Sequence, residues 1–298
     1  MDPFLFVSGP ALLAPAFVTS ASALLPQLVG AAPASTSSGL QRPAPGALHL
    51  SELDERSRPY QLVGGVAIVP VCGLIVPRLD WIGWSYATGC NVLKLQLSMA
   101  FADPQVRAVA LWCKSGGGFV SGVADLVDWA AQAKGDSGKL VVAILDDYAY
   151  SAAYWLAAGI ADTVSVPRTG GLGSIGVISI HWDVSAALSE AGWKPTIIAA
   201  GKHKAEGNAF QPLADDVRDR WLAESEAIRQ LFAASVARGR AAAGASLDLT
   251  AVLASEAATW DGPTGTAAAV EQGFADAVLP PDDAFQALLT HLTTAQGA

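Results

Sequence analysis

One serine, one lysine and two glycine-rich stretches carry most of the chemistry available to this chain. Ser151 follows Leu140 to Leu145, a continuous apolar run of the kind needed by a parallel strand covered on both faces. Asp146 and Asp147 are expected to end that strand. From Ser151 the pattern turns small, aromatic and Leu-rich as far as Gly159, where a helix would stop. A serine at such a strand-to-helix junction lies beside the free N–H groups of the first helical turn. It can be a plain helix N-cap, the simpler reading when taken alone, or a nucleophile with the Ala152 N–H serving an oxyanion.

A serine hydroxyl is a weak nucleophile until a base takes its proton. The chain has four histidines. His49 falls in a linker, His181 at a strand end, His203 between Lys202 and Lys204, and His291 in the tail. None pairs with an acid in a recognisable signature, and Gly-x-Ser-x-Gly is absent around Ser151. A lysine can act instead when burial keeps its amine neutral. Lys202 and Lys204 lie in a polar loop, Gly201 to Asn208, where lysines are ordinarily solvated. The run Ser115-Gly116-Gly117-Gly118-Phe119-Val120 follows another buried strand. Consecutive glycines imply close backbone approach or positive φ, although a tight turn fits equally well. Dinucleotide and phosphate-loop spacings are both absent.

The elements that must position these residues alternate between strand and helix. Gly65 to Val76 reads as a strand pair interrupted by Pro70 and Gly73. Cys90 to Phe101 reads as a helix stopped by Asp103-Pro104, and Val106 to Cys113 as a buried strand. Val120 to Ala133 follows as a helix. Thr163 to Val166, Val177 to His181 and Thr196 to Ala199 read as strands, with a helix over Asp183 to Ala191. This alternation predicts an α/β layer with mainly parallel pairing. A long helix over 213–240 carries Leu213, Val217, Trp221, Ile228, Leu231 and Val236 on one face, suited to a core or a subunit interface. Shorter helices over 248–256, 264–272 and 282–293 surround a strand at Asp276 to Leu279.

Composition narrows the function. The 298 residues are 52% hydrophobic and 15% charged, which predicts a packed globule. A net charge of −9 argues against a nucleic-acid surface. Cys72, Cys90 and Cys113 match no metal spacing and read as reduced, buried thiols of a cytosolic protein. No metal or cofactor is implied. Residues 1–31 form an apolar segment broken by Pro10, Pro15 and Pro26, with no basic residue before Arg42. Such a segment fits docking on a partner or on the protein itself better than a signal or anchor. Residues 32–59 read as a linker, 60–282 as the main domain, and 283–298 as a C-terminal helix and tail.

Four motifs occur in one order: Ser-Gly-Gly-Gly-x-Val at 115–120, Tyr-Ser-Ala-Ala-Tyr-Trp-Leu-Ala at 150–157, Gly-Ser-Ile-Gly-Val at 173–177 and Gly-x-His-Lys at 201–204. Over roughly residues 60–280 the chain resembles the signal-peptide-peptidase A (protease IV) family. It is most similar to the phage branch of minor-capsid-protein-C type head-maturation proteases, where the lysine loop also runs into a Gly-Asn, here Gly207-Asn208. The resemblance implies a Clp/crotonase-like fold and a Ser–Lys dyad, with Ser151 as nucleophile and Lys204 as base. Gly117 and the Ala152 N–H would form the oxyanion hole. Gly118, Gly173, Ser174, Ile175 and Gly176 would line the cleft, with Ser174 placed to orient the lysine. An extended polypeptide would bind as an added strand.

Gly116 stands where the family usually has proline, which implies a looser loop. The resemblance further implies capsid, scaffold or portal proteins as partners, no nucleic acid, and a homo-oligomer in the host cytoplasm or prohead. Signal-peptide degradation at a membrane is the alternative activity. A catalytically silent capsid component or a crotonase-type acyl-CoA enzyme are alternatives from other classes.

Overall fold

The computed structural model describes residues 10–13 through their backbone, together with residues 48–54, 57–83 and 86–294. Most of the expected apolar segment and linker lies outside these residues. The chain begins with β1 (Pro10–Leu13), β2 (Leu48–His49), β3 (Gln61–Val63), β4 (Val66–Val76), β5 (Trp81–Ile82) and β6 (Ala87–Gly89). Its centre comprises α1 (Cys90–Ala102), β7 (Ala108–Phe119), α2 (Val123–Ser137), β8 (Leu140–Tyr150), α3 (Ala152–Ile160) and β9 (Thr163–Val166). Next come β10 (Gly171–Gly173), β11 (Ile178–Ser179), α4 (Ser185–Glu190) and α5 (Asp215–Ala242). The chain continues through α6 (Leu249–Ala254), β12 (Thr259–Asp261), α7 (Gly262–Glu271), β13 (Ala277–Val278) and α8 (Pro281–Thr294).

The result is a mixed α/β architecture around a mostly parallel sheet. Strand β7 pairs in parallel with β4 and β8, and β8 with β9 and β10. Strands β6 and β13 add in parallel to β4 and β9, and antiparallel β1, β3, β11 and β12 complete the 11-stranded sheet. Both faces are covered, which is why the central strands read as unbroken apolar runs. Along β7, Val109, Leu111 and Cys113 enter the larger core with helices α1, α2, α3 and α5. The alternating Ala108 and Ala110 enter a second core beneath α8, with Ala284, Leu288 and Leu292.

Helix α3 is buried along its whole length, as an all-round apolar helix must be. Helix α5 crosses it closely: a Cβ on Gly239 would lie 2.2 Å from the Ala158 carbonyl oxygen. Trp155 stacks on Phe232 at 4.5 Å between ring centroids. Arg240, fully buried, donates to Asp276 at 2.6 and 2.9 Å and to the Gly273 carbonyl at 2.9 Å. This pair fastens the end of α5 to the loop before β13.

Several elements depart from the sequence expectations. Strand β4 runs through Pro70 and Gly73 rather than breaking. Its irregularity falls between Cys72 and Leu74, where Gly73 adopts φ +67 against the Tyr86 backbone. Strand β8 continues past Asp146 and Asp147 to Tyr150; Lys114 Nζ, on the paired strand, lies 3.8 Å from each carboxylate. The glycine run is the end of β7 rather than a loop, because β4 and β1 bond it from both sides. Thr196 to Ala199 forms no strand, and the strand expected over Val177 to His181 shrinks to two residues. Cys90 and Cys113 are buried free thiols, but Cys72 is only half-buried. The expected stripe on α5 divides: Val217 and Val236 face inward, whereas Leu231 is 48% exposed.

Candidate active site

Ser151 sits between β8 and α3 with φ 54 and ψ −120, a conformation that non-glycine residues rarely adopt. The surroundings hold it there. Its N–H donates to the Gly173 carbonyl at 2.8 Å, and its carbonyl accepts from Trp155 N–H at 2.9 Å, closing the first turn of α3. The side chain does not cap that helix. Its Oγ is fully buried and has no hydrogen-bond partner among the described residues. A buried unpaired hydroxyl costs about 1–3 kcal/mol, and the backbone strain adds about as much. Such costs cluster where a side chain must be aimed at a reacting atom. The N-cap reading therefore fails.

Around Ser151 the sheet gathers most of the expected cleft. Gly173 pairs with Tyr150 across β10 and β8 and adopts φ +108; a side chain there would meet the Ala258 carbonyl and the Trp260 ring at 2.7 Å. Ser174 is buried at φ 57, with its N–H on the Ala258 carbonyl at 2.9 Å. Ile175 is in the core, and Gly176 faces Ala257 too closely for any Cβ. Ala257 and Glu256 also have positive φ, so the loop before β12 is a shaped support for this wall.

The opposite wall is the glycine end of β7. Register pairs Ser115 with Ala149, so Gly117, two residues on, comes level with Ser151. Gly117 has φ +106, and Gly118 approaches β4 so closely that a Cβ would lie 1.9 Å from the Ile75 carbonyl oxygen. Ala152 N–H belongs to the first turn of α3, where helix geometry supplies no intrahelical acceptor. Gly117 N–H, the other expected oxyanion donor, instead donates to Ser115 Oγ at 3.1 Å. Ser115 in turn donates to the Gly73 carbonyl at 2.6 Å and is buried. The Ser-Gly-Gly-Gly motif contained this residue, but its side-chain role needed the β4–β7 register to become visible. Tyr150, whose hydroxyl donates to Asp261, was likewise not foreseen. Burial, followed by that acidic partner, pushes the Tyr150 phenol upward.

Lys204 is not brought to Ser151 by a hydrogen bond. It is exposed, in a loop built from local contacts. Its N–H donates to the Gly201 carbonyl at 3.1 Å, and His203 Nδ1 meets Glu206 at 2.7 Å. Arg220 from α5 also bonds Glu206, so the His203 contact first and Arg220 second hold that carboxyl below its usual range. Gly207, with φ +68, packs on the Trp221 ring. The loop is thus fastened to α5. Among the described residues no cluster of His, Cys, Asp or Glu is arranged for a metal ion, and no helix is long and apolar enough to cross a membrane.

A buried serine raised at a strained strand-to-helix junction, flanked by a glycine-rich strand and a helix N-terminus, is an arrangement that a serine hydrolase requires, here carried on a mostly parallel α/β sheet. The model of peptidase family S49 matches residues 133–294, and the chain belongs to that serine-peptidase family. It is 35% identical over 294 residues to the head-tail preconnector protein GP5 of Enterobacteria phage P21, covering 96% of this chain and 56% of that protein. It is also 35% identical over 230 residues to the capsid assembly protease C of Escherichia phage lambda, covering 77% of this chain and 50% of that protein. The chain spans about half the length of these curated relatives.

Proposed function

We propose that the chain is a serine endopeptidase with a Ser151–Lys204 dyad, acting in phage head assembly on capsid, scaffold or portal polypeptides. The observation that carries this reading is the unpartnered, fully buried Ser151 Oγ at a strained junction in a chain of peptidase family S49. Similarity to a capsid assembly protease and a head-tail preconnector supports the phage role and a site of action in the host cytoplasm or prohead. The family implies the Clp/crotonase fold, with which the mostly parallel sheet agrees.

In the reaction, the neutral Lys204 amine takes the Ser151 proton as Oγ adds to the peptide carbonyl. The new oxyanion accepts hydrogen bonds from Ala152 N–H and, once released from Ser115, Gly117 N–H. Collapse breaks the C–N bond, and the lysine ammonium returns its proton to the leaving amine. Water, deprotonated by the same lysine, then hydrolyses the acyl-serine. Ser174 lies beside this path as the residue that orients the lysine.

The base must reach the serine from outside its own exposed loop. Trp193 and Ile198, 70% and 94% exposed, lie on the irregular segment leading to Lys204. Apolar side chains so exposed favour burial against a second copy of the chain, which would carry Lys204 into a neighbouring site. A fluorophosphonate probe tests the chemistry: it should modify Ser151 and fail to do so in Lys204→Ala. Equal labelling of the Lys204→Ala protein would refute the dyad.

A further inference from the structure

The groove meant for an extended substrate is occupied by the chain itself. Strand β1 inserts between β7 and β11 and is antiparallel to both. On one side Ala11, Leu12 and Leu13 pair with Phe119, Gly118 and Gly117; on the other Pro10 and Ala11 pair with Ser179 and Ile178. Gly117 and Gly118 belong to one wall of the candidate cleft, and β11 follows two residues after the other, Gly173 to Gly176. Leu13 pairs with Gly117, two residues beyond the last β7–β8 pair, Ser115 with Ala149, so the inserted strand runs towards the end of β8 that leads into Ser151.

We infer that residues 10–13 are an intramolecular pseudo-substrate that competes with polypeptide substrates for this groove. The inference rests on the proposed peptidase reading only in calling the groove a substrate site; the occupancy itself is a matter of backbone pairing. An incoming strand gains affinity from the ladder bonds offered by β7 and β11. Those bonds serve one strand at a time, so β1 and a substrate exclude one another. The sequence suits such a role. Pro-Ala-Leu-Leu is apolar and uncharged, like the Gly-, Val- and Ile-rich walls, and Pro10 lacks an N–H and so limits how strongly the strand can pair. A weak strand tethered to its own groove has an effective concentration of about millimolar, enough to hold the site against dilute peptides while yielding to a substrate presented at high local density.

The test measures binding in the Ser151→Ala background, where hydrolysis cannot interfere. A fluorescent peptide with the sequence of residues 8–16 is titrated into the full chain, a chain lacking residues 2–13, and a full chain carrying Ala11→Pro with Leu12→Pro. The deletion and the double-proline variant should both bind it at least about tenfold more tightly than the unaltered chain. Equal affinity in all three, or no binding to either altered chain, overturns the inference. The double-proline variant keeps the chain length, so a folding defect caused by deletion alone cannot mimic the result. Peptide hydrolysis by the same three chains with Ser151 restored separates the two claims. Tighter binding with no hydrolysis by any chain would sink the peptidase reading and leave standing the competition of residues 10–13 with extended peptides for this groove.

Discussion

If Ser151 and Lys204 of a working site come from different subunits, two dead proteins should make a live one. Ser151→Ala removes the nucleophile but leaves an intact lysine loop, because that loop is fastened to α5 by the His203–Glu206–Arg220 contacts. Lys204→Ala removes the base and leaves Ser151 held by Gly173 and Trp155. Each variant alone should lose at least about a thousandfold in activity, the usual cost of deleting one member of a nucleophile–base pair. When equal amounts are mixed and exchange at random, about one quarter of the heterologous interfaces unite an intact serine with an intact lysine, so about a quarter of the wild-type rate should return. The assay is hydrolysis of a quenched-fluorescence peptide before and after mixing, with native gels of differently tagged subunits recording the exchange. A mixture that exchanges fully and stays inactive would refute the shared site and require Lys204 to reach Ser151 within one chain.

Further outcomes are expected. Lys202→Ala should keep near-wild-type activity in the same assay, since only Lys204 occupies the motif position. Gly118→Ala should cost about 1–3 kcal/mol in urea unfolding, because the added Cβ meets the Ile75 backbone rather than a side chain that can move aside. Arg240→Met should cost about 3 kcal/mol by leaving Asp276 without its cation, at the low end because that carboxylate is partly exposed. Burial, then the hydrogen bond to Asp103, pushes the Tyr60 hydroxyl up to about 12, so the native state holds this proton longer than the unfolded chain. Its contribution is complete below the ordinary tyrosine value and is lost as pH rises from about 10 to about 12. Urea midpoints at about pH 9 and about pH 11 should therefore diverge less in Tyr60→Phe than in the parent.

What the sequence revealed and concealed follows the range of the forces involved. The β8–Ser151–α3 junction was legible because a doubly covered strand and an all-round buried helix need continuous apolar runs, and these are local. Lys114 is not local to Asp146 and Asp147, so two adjacent acids read as a strand end when they mark a strand supported by its neighbour. The same holds for the glycine run, whose strand conformation depends on β4 and β1 bonding it from both sides. Thr196 to Ala199 had strand composition but lies on an exposed segment with no sheet edge to join. Leu231 fitted the helical stripe by spacing, yet it is the adjacent Phe232 that turns inward to stack on Trp155, which leaves Leu231 48% exposed.

Within this fold the two halves of the proposed dyad are held by very different means. Ser151 is held by the core: strand, helix and the Gly173 carbonyl together impose a φ of 54 that costs about 1–3 kcal/mol in a residue with a Cβ. Lys204 is held by surface ion pairs and turns, worth little individually and easily rearranged. The strain therefore belongs to the nucleophile alone and persists when the base is absent. Replacing Ser151 by glycine should relieve it, making Ser151→Gly more stable than Ser151→Ala by about 1 kcal/mol after glycine's extra unfolded-state entropy is deducted. The ordinary expectation for this pair of substitutions at an unstrained position has the opposite sign. Urea unfolding that found Ser151→Ala the more stable of the two would show that the junction stores no strain, and the argument for an aimed nucleophile would lose its energetic basis.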